Sequence, residues 1–275
     1  MAQTHEKLEE QTVKLNQSKV KMYVRCGEQY RRRYVENESI PPGIALIRGS
    51  AVHRGSQHNF DQKVDSHLDL PNAEVEEVAI ETMRAKIENE GLSLNEDEMA
   101  KGKDAVVNEG QRAVRTLTGL YCDNVAPRYQ PILVEKDLEL DLGNGTTLTG
   151  ILDTVADDGT IVDLKTMSKA PSVGQYDADI QITNYWLLYM AEFNEEPKHF
   201  AIECLIDTKI PKNHTAIQTR QKGDVEAFVN LTQSVAHAIE AGVAIPAYGQ
   251  DAAWWCSKKW CGYWATCPFV PPHRR

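Results

Sequence analysis

The feature that most constrains the fold is a run of alternating apolar and polar residues from Pro131 to Thr166. Turn-forming residues interrupt the run twice, at Gly143-Asn144-Gly145 and at Asp157-Asp158-Gly159. A period of two indicates strands with one buried face, and short glycine-containing turns join the strands of hairpins. The segment therefore predicts three consecutive antiparallel strands.

The second of these hairpins places two acids and a lysine among its aliphatic residues. A three-residue turn at 157–159 makes Ala156 face Thr160, and counting outward from this pair places Asp153 opposite Asp163. Lys165 then shares a strand face with Asp163. Carboxylates that face each other on adjacent strands have Cβ atoms about 5 Å apart and repel each other. The pair therefore needs a physical reason to exist.

A divalent cation supplies one such reason. Hard oxygen ligands suit Mg²⁺ or Mn²⁺, and the cation removes the repulsion between Asp153 and Asp163. Lys165 is close enough to stabilise a developing negative charge. The alternative is a solvent-facing ladder in which Lys165 simply pairs with the two acids. The hairpin alone leaves both interpretations open.

The rest of the chain predicts an α/β fold with a helical N-terminal region. Helical patterns precede the three strands, and helix, strand, strand and helix follow them. We expect one domain over residues 1–275, with 1–125 as the helical part, 126–245 as the α/β core and 246–275 as a cysteine-rich segment. The predicted helices are 17–36, about 49–64, 72–90, 94–124 with weak points at Gly102 and Gly110, 175–194 and 224–242, and the later strands are 198–209 and 214–221.

Composition and charge restrict the setting and the partners. No apolar run approaches the roughly 20 residues that cross a bilayer, and the polar N-terminus lacks an apolar signal core, so we expect a cytosolic protein without a membrane partner. The formal net charge of −10 disfavours nucleic acid. Residues 14–34 nevertheless hold seven lysines and arginines and one glutamate. They form either a basic groove on an acidic body or a solvated helix face.

The cysteines fall into two groups. Cys122 and Cys204 lie in apolar surroundings and are expected in the core. Three others crowd the C-terminal segment, and a cytosolic setting disfavours structural disulfides for them. Thiolates at this density bind zinc or an iron–sulfur cluster, and Cys26 is the candidate fourth ligand. The predicted ligand set is Cys26, Cys256, Cys261 and Cys267, with two disulfides as the alternative.

The hairpin acids resemble the core of the PD-(D/E)XK nucleases, in the order Asp153, then Asp163-Leu164-Lys165, although Leu152 stands where that family has proline. The surrounding motifs are similar to the RecB-like branch. They are Gly150-Ile151-Leu152-Asp153, Asp163-Leu164-Lys165-Thr166, Gln181 with Tyr185 four residues later, Gly49 with His53 four residues later, and Glu135 on the first strand.

The resemblance implies a restriction-endonuclease-like core, which is a mixed sheet flanked by helices. It also implies roles for individual residues. Lys165 would be catalytic, and Gln181 and Tyr185 would brace the site or the DNA. The implied metal ligands are His53, Asp153, Asp163 and the backbone carbonyl of Leu164. On its own, a histidine such as His53 is more often a surface or core residue than a metal ligand, and Glu135 on its own could be any exposed strand residue.

The outer cysteines are similar to those of AddB-like iron–sulfur nucleases, in which one N-terminal and three C-terminal cysteines hold a 4Fe–4S cluster. Four residues separate Cys256 from Cys261 where that family commonly has two, and Gly27 replaces a frequent proline. Zn²⁺ therefore stays open as the alternative. Either centre would hold the 246–275 segment against the N-terminal helix.

Together the resemblances imply a Mg²⁺- or Mn²⁺-dependent DNA exonuclease acting on single strands or duplex ends. Its setting would be phage or bacterial recombination, repair or CRISPR-type DNA processing, in the cytoplasm of a bacterial cell or phage-infected host. A homo-oligomer and a recombination or integration partner protein are compatible with it. The alternative functions are a catalytically inactive DNA-binding adaptor with a nuclease fold and a zinc-stabilised enzyme of unrelated chemistry.

Overall fold

The computed structural model describes residues 12–248 and 253–274, so the outer ends of the predicted 1–125 and 246–275 parts lie outside the described residues. The elements are β1 (Val13–Leu15), α1 (Gln17–Arg25), α2 (Gly27–Tyr30), a π-helical turn (Arg31–Val35), α3 (Ile44–Ser66), α4 (Asn72–Glu90), α5 (Glu96–Lys101), α6 (Lys103–Asn124), a 3-10 turn (Ala126–Arg128), β2 (Pro131–Asp141), β3 (Thr146–Ala156), β4 (Thr160–Met167), α7 (Ile180–Phe193), β5 (His199–Ile206), β6 (Lys212–Gln218), α8 (Lys222–Glu240) and a 3-10 turn (Pro272–Arg274).

The strands form one mixed sheet. Its order is β1-β3-β4-β5-β6, and β2 pairs with β3. The β1/β3 and β4/β5 pairs are parallel, and the other pairs are antiparallel. This confirms the predicted α/β class and helical N-terminal region. The short strand β1 was not predicted, because three residues carry too little periodic signal.

The register of the β3/β4 hairpin confirms the prediction made from its turn. Thr154 pairs with Val162 and Val155 with Ile161, and Gly159 has the left-handed φ of +81° that the turn requires. The ladder then ends, because β4 continues along β5 while β3 continues along β2. The next residues in this register are Asp153 and Asp163, which therefore lie where the two strands separate.

Helices cover both faces of the sheet. The helices α3, α4 and α6 share a core cluster with Leu205, whereas α7 and Phe228 of α8 pack with Cys204 and Ile206 on the opposite face. Neighbouring residues of β5 thus point to different helical layers, which explains why this strand is apolar almost throughout. Each fully buried leucine or isoleucine in these layers contributes about 1.5–3 kcal/mol.

The predicted helix over 17–36 is wrong at one position. Cys26 is extended, with φ −168° and ψ 105°, and it separates α1 from α2. The break follows from packing with a distant segment. The Gly27 amide donates to the Ile245 carbonyl at 2.7 Å, and a Cβ on Gly27 would lie 2.6 Å from the Ile245 nitrogen.

Three other helix boundaries also differ from the predictions. The helix predicted over 94–124 divides at Gly102, whose φ is +87°. Gly110 stays inside α6, where it packs against Met83. The helix predicted from 175 begins at Ile180, because the Asp179 side chain caps it by accepting from the Gln181 amide. The helix predicted from about 49 begins at Ile44. None of the helices within 12–248 and 253–274 has the length and hydropathy needed to cross a membrane.

Candidate active site

The point where β3 and β4 separate collects predicted site residues from four elements. His53 comes from α3, Asp153 from β3, Asp163 with Lys165 from β4, and Gln181 with Tyr185 from α7. Because α3 and α7 cover opposite faces of the sheet, the gap between the strands gives side chains of both helical layers access to one place.

On the α3 side, His53 lies between two carboxylates. Its Nε2 is 2.8 Å from Asp153 Oδ2, and its Nδ1 is 3.2 Å from Glu135 Oε1. Glu135 is opposite Asp153 on β2, between the pairs Val134–Thr154 and Lys136–Leu152. Its φ of +47° is rare for a residue with a side chain and stores strain. The sequence alone left Glu135 ambiguous, and the structure brings it to the site.

The charges of this group depend on one another. Burial lowers the pKa of His53, but the Asp153 and Glu135 carboxylates outweigh burial and hold that pKa well above its ordinary value. Burial raises the pKa of Asp153, and the His53 ring with Lys165 outweighs burial and leaves that pKa below its ordinary value. An imidazolium is therefore favoured here, since only this form donates from both ring nitrogens.

On the α7 side, Asp163 is almost fully buried. Its Oδ1 accepts from Lys165 Nζ at 3.0 Å and from Gln181 Nε2 at 2.9 Å. Its Oδ2 is also 3.0 Å from Lys165 Nζ, but it is buried and makes no well-oriented hydrogen bond. A buried carboxylate oxygen without an acceptor bond is costly, so this atom fits a ligand to a cation.

The ionisation of Asp163 reflects this cost. Burial, with the nearby Asp153 carboxylate, raises the pKa of Asp163 to about 7, although Lys165 acts in the opposite direction. Burial lowers the pKa of Lys165, and the two aspartates outweigh burial and raise it above its ordinary value. The site thus holds a cationic lysine beside a carboxyl group that is easily protonated.

The helix α7 orients the lysine. Gln181 Oε1 accepts from Lys165 Nζ at 2.8 Å. The backbone N–H of Gln181 donates to Asp179 Oδ1. Lys21 of α1 adds a 2.6 Å ion pair to Asp179. Tyr185 is buried on the same helix face, and burial raises its pKa. Sequence reasoning did not find Asp179 or Lys21, although an aspartate before a helical pattern is a capping signal.

Gly150 and Gly49, the glycines of the two sequence motifs, lie at close contacts between a helix and the sheet. A Cβ on Gly150 would lie 2.6 Å from Leu188 Cδ1 and 2.8 Å from Asn184 Nδ2, so only glycine lets α7 pack this closely on β3. A Cβ on Gly49 would lie 3.2 Å from Thr166 Oγ1. The helix α3 therefore packs against β4 directly after Lys165.

The residues fit a divalent cation on their donor chemistry. Within the described parts of the chain, His53, Glu135 and Asp153 are the one group whose ligand atoms all lie within 4.8 Å of one another. Asp163 adds the buried Oδ2 but does not join that group as placed. The Leu164 side chain packs in the α3 layer, and the part of its carbonyl as a ligand stays a prediction.

The four outer cysteines come together at a second place. Cys26, Cys256, Cys261 and Cys267 line one cavity between the N-terminal and C-terminal segments, and Coulombic repulsion from the other three thiols helps to raise the pKa of Cys256, after burial. Cys26, Cys122, Cys204, Cys256 and Cys261 are free thiols in the structure, so the two-disulfide alternative gains no support. Cys122 and Cys204 are core residues, as predicted.

The basic residues of 14–34 do not form an open row. Ion pairs occupy Lys14, Lys21, Arg31 and Arg32. Most of their partners lie outside that stretch of sequence, at Glu36, Glu38, Glu139 and Asp179. A local charge pattern could not show these partners, and the interpretation as a basic groove is weakened.

A mixed sheet with helices on both faces and two acids and a lysine where two strands separate defines a restriction-endonuclease-like nuclease fold. A family model described as the PD-(D/E)XK nuclease superfamily matches residues 14–268. The chain therefore belongs to the PD-(D/E)XK nuclease superfamily.

One solved structure agrees with this fold. The crystal structure of a "Putative exonuclease" from Eubacterium rectale has a TM-score of 0.57 and 13% identity, with 92% of each chain covered. At this identity the likeness concerns the fold. The structure of SSO0001 has a TM-score of 0.35 and 14% identity, with 78% of this chain and 95% of that chain covered. No curated protein matches the sequence.

Proposed function

We propose that the protein is a Mg²⁺- or Mn²⁺-dependent DNA exonuclease that hydrolyses phosphodiester bonds at the point where β3 and β4 separate. The buried Oδ2 of Asp163, which has Lys165 at ion-pair distance but makes no well-oriented hydrogen bond, carries the proposal together with the His53, Glu135 and Asp153 group. A fold has no stability reason to bury an unsatisfied carboxylate oxygen near further acids, whereas a divalent cation satisfies it.

Each residue has a defined part in this proposal. His53, Asp153, Asp163 and the Leu164 carbonyl hold the cation, and Glu135 joins them. When bound, the cation supplies Lewis acidity and a water of lowered pKa. Lys165 neutralises charge that develops on the phosphate. Gln181 and Asp179 keep Lys165 in position. Tyr185, buried on the same face of α7 as Gln181, supports this side of the site.

The test is degradation of end-labelled single-stranded and duplex DNA in the presence of Mn²⁺ or Mg²⁺. Lys165→Ala is expected to reduce the rate about 10²–10³-fold, the scale seen when one charge-stabilising group is lost. Lys198→Ala is the matched control, because Lys198 pairs with Asp158 at the surface. Wild-type activity in Lys165→Ala would remove this lysine from the mechanism. Wild-type protein that binds DNA without degrading it would favour the inactive adaptor.

For the cysteine cavity, we propose a 4Fe–4S cluster held by Cys26, Cys256, Cys261 and Cys267, with Zn²⁺ as the alternative. The support for a shared centre is that all four cysteines line the same cavity, and thiolates gathered in this way bind iron–sulfur clusters or zinc. Iron, acid-labile sulfide and zinc analysis of anaerobically purified protein tests the proposal, and a colourless, zinc-loaded protein would contradict it.

The remaining parts of the proposal concern organisation and setting. We propose a single nuclease domain over 1–275 in which the cysteine-rich segment packs on the N-terminal helices. The hydrogen bonds from Trp255 Nε1 to the Arg25 carbonyl and from Tyr263 to the Glu38 carbonyl support this packing. The proposed setting is cytoplasmic DNA recombination, repair or CRISPR-type processing in a bacterial or phage-infected cell, where a homo-oligomer or a recombination or integration partner would fit.

A further inference from the structure

The cavity lined by the four outer cysteines also contains a buried cation. Arg32 lines this cavity, and its side chain is only 8% exposed. Glu28, another buried charged residue of the lining, is already neutralised by Arg31 through two hydrogen bonds. Arg32 is paired instead with Glu38, which does not line the cavity, so the lining itself keeps a guanidinium group beside the cysteines.

The Nε and Nη2 atoms and the planar face of the Arg32 guanidinium have structural partners. Its Nε donates to Glu38 at 2.9 Å, its Nη2 donates to Thr266 Oγ1 at 2.7 Å, and its plane lies 4.8 Å from the Tyr263 ring centre. The Nη1 atom is buried and makes no hydrogen bond. A buried cationic N–H without an acceptor is expensive, so the site is incomplete as it stands.

Two neighbouring N–H groups already donate to the cysteine sulfurs. Gln29 Nε2 lies 3.1 Å from Cys261 Sγ, and the Ala247 amide lies 3.4 Å from Cys26 Sγ. The Gln29 amide has a defined orientation, because Arg25 donates to its oxygen at 2.7 Å. Neutral thiols are weak acceptors, whereas metal-bound thiolates are anionic and accept well. The donor arrangement fits charged sulfur.

We propose that Arg32 Nη1 and Gln29 Nε2 are hydrogen-bond donors to the anionic sulfur of a metal centre held by the four cysteines. They are positioning residues that set how firmly the centre is retained and, for an iron–sulfur cluster, how readily it is reduced. The inference rests on the proposed cysteine centre and is independent of the nuclease activity.

The expected consequences follow from charge. Thiolate-ligated centres are negatively charged, and a nearby cation and N–H donors offset that charge. Reduction adds a further negative charge, so donors to the sulfurs raise the reduction potential. Loss of either donor should make the centre easier to remove and lower its potential.

The test compares donor variants with variants that disturb only the structural bonds of Arg32. Gln29→Met removes one donor while keeping side-chain length, Arg32→Met replaces the guanidinium by a shorter unbranched apolar side chain, and Arg32→Lys keeps the charge. Glu38→Gln and Thr266→Val weaken the outer anchors of Arg32 and leave Nη1 in place. For each full-length protein, iron, sulfide and zinc per chain, release to a competing chelator and the reduction potential are measured.

Arg32→Met and Gln29→Met are expected to release the metal at least three-fold faster than the wild type and to have a lower potential, with Arg32→Lys in between. Equal release and equal potential in all variants would overturn the inference. Faster metal release and a lower potential in Glu38→Gln and Thr266→Val would also overturn it, because they would assign Arg32 a purely structural role. A wild-type protein that binds no metal would overturn it as well. DNA degradation by the same preparations reports on the nuclease proposal separately.

Discussion

Single residues in this protein act through contacts that their type alone does not reveal. Gly150 matters because α7 packs directly above it, and Asp163 matters because one of its oxygens is buried without a bond. The sequence predicted that Asp153 and Asp163 face each other, since the register depends only on the adjacent turn. It left Glu135 ambiguous, because the unusual φ that accompanies its approach to His53 has no sequence signal.

Gly150→Ala is expected to destabilise the fold by about 1–3 kcal/mol, the usual cost of overpacking. The new Cβ would meet Leu188 and Asn184 at distances well inside contact. Gly119→Ala is the matched control. It lies inside α6 with no atom within 4 Å of its added Cβ, so a gain of about 0.5–1 kcal/mol is expected. Chemical denaturation measures the free energy of unfolding of both variants. Equal stability of the two variants would contradict the packing argument.

Asp163 should make the metal-free protein less stable as the pH rises. Burial and the Asp153 carboxylate raise its pKa in the folded protein to about 7, from an ordinary value of 3.8. Between those values the folded state keeps a proton that the unfolded state has lost, so the free energy of unfolding falls with increasing pH. A loss on the order of 2–4 kcal/mol is expected across this window. The raised pKa of His53 acts in the same direction at higher pH.

Thermal unfolding in EDTA at pH 5 and pH 8 measures this loss. Asp163→Asn cannot titrate and should show a smaller decrease than the wild type, because only the contribution of the other groups remains. Saturating Mg²⁺ or Mn²⁺ should remove most of the difference by replacing the proton. An Asp163→Asn variant with the same decrease as the wild type would assign the pH dependence to other groups.

At the scale of elements, local patterns predicted existence and type better than boundaries. The hairpin and the helices α4, α6, α7 and α8 follow from periodicity and turn chemistry. The break at Cys26 does not, because it depends on a backbone hydrogen bond to Ile245 at the far end of the chain. The same holds for the ion pairs of residues 14–34, whose acidic partners include Glu139 and Asp179.

Gly27→Ala should therefore loosen the contact between α2 and the segment before the C-terminal cysteines. Its added Cβ would lie within 3 Å of backbone atoms of Ala244 and Ile245, which cannot rotate away. A loss of about 1–3 kcal/mol is expected, with faster tryptic cleavage at Lys258 and Lys259. Gly223→Ala lies in the first turn of α8, and its added Cβ meets nothing within 4 Å. It should cost no stability and leave tryptic cleavage unchanged. Wild-type cleavage in Gly27→Ala would show that this contact tolerates a side chain.

At the scale of the whole molecule, charge determines how a nucleic acid can bind. The net charge is −10, and ion pairs occupy four of the seven basic residues in 14–34. Affinity for DNA must then come from fewer phosphate contacts than the sequence suggests. The sequence predicted the class of fold and most of the site, but it could not predict this neutralisation, which is a property of the assembled surface.

Salt dependence of DNA binding measures those contacts. Each phosphate contact contributes about −0.9 to the slope of log affinity against log salt. Arg31→Gln should leave the slope of the wild type unchanged, since Glu28 and Glu36 already bind Arg31. Arg33→Gln removes an exposed charge and should make the slope shallower by about 1. An equal change in both variants would show that DNA displaces the ion-pair partners of Arg31.

The long-range contact between Gly27 and Ile245 has a consequence for biosynthesis. A ribosome delivers the N-terminal helices first, while the carbonyl that accepts from Gly27 and three of the four cysteines are still to be translated. Cys26 must wait for its companions, so the nascent chain holds an incomplete thiol cluster and an uncovered helix junction during that interval. We therefore expect the cysteine cavity to assemble late in folding, after the sheet and the point where β3 and β4 separate have formed.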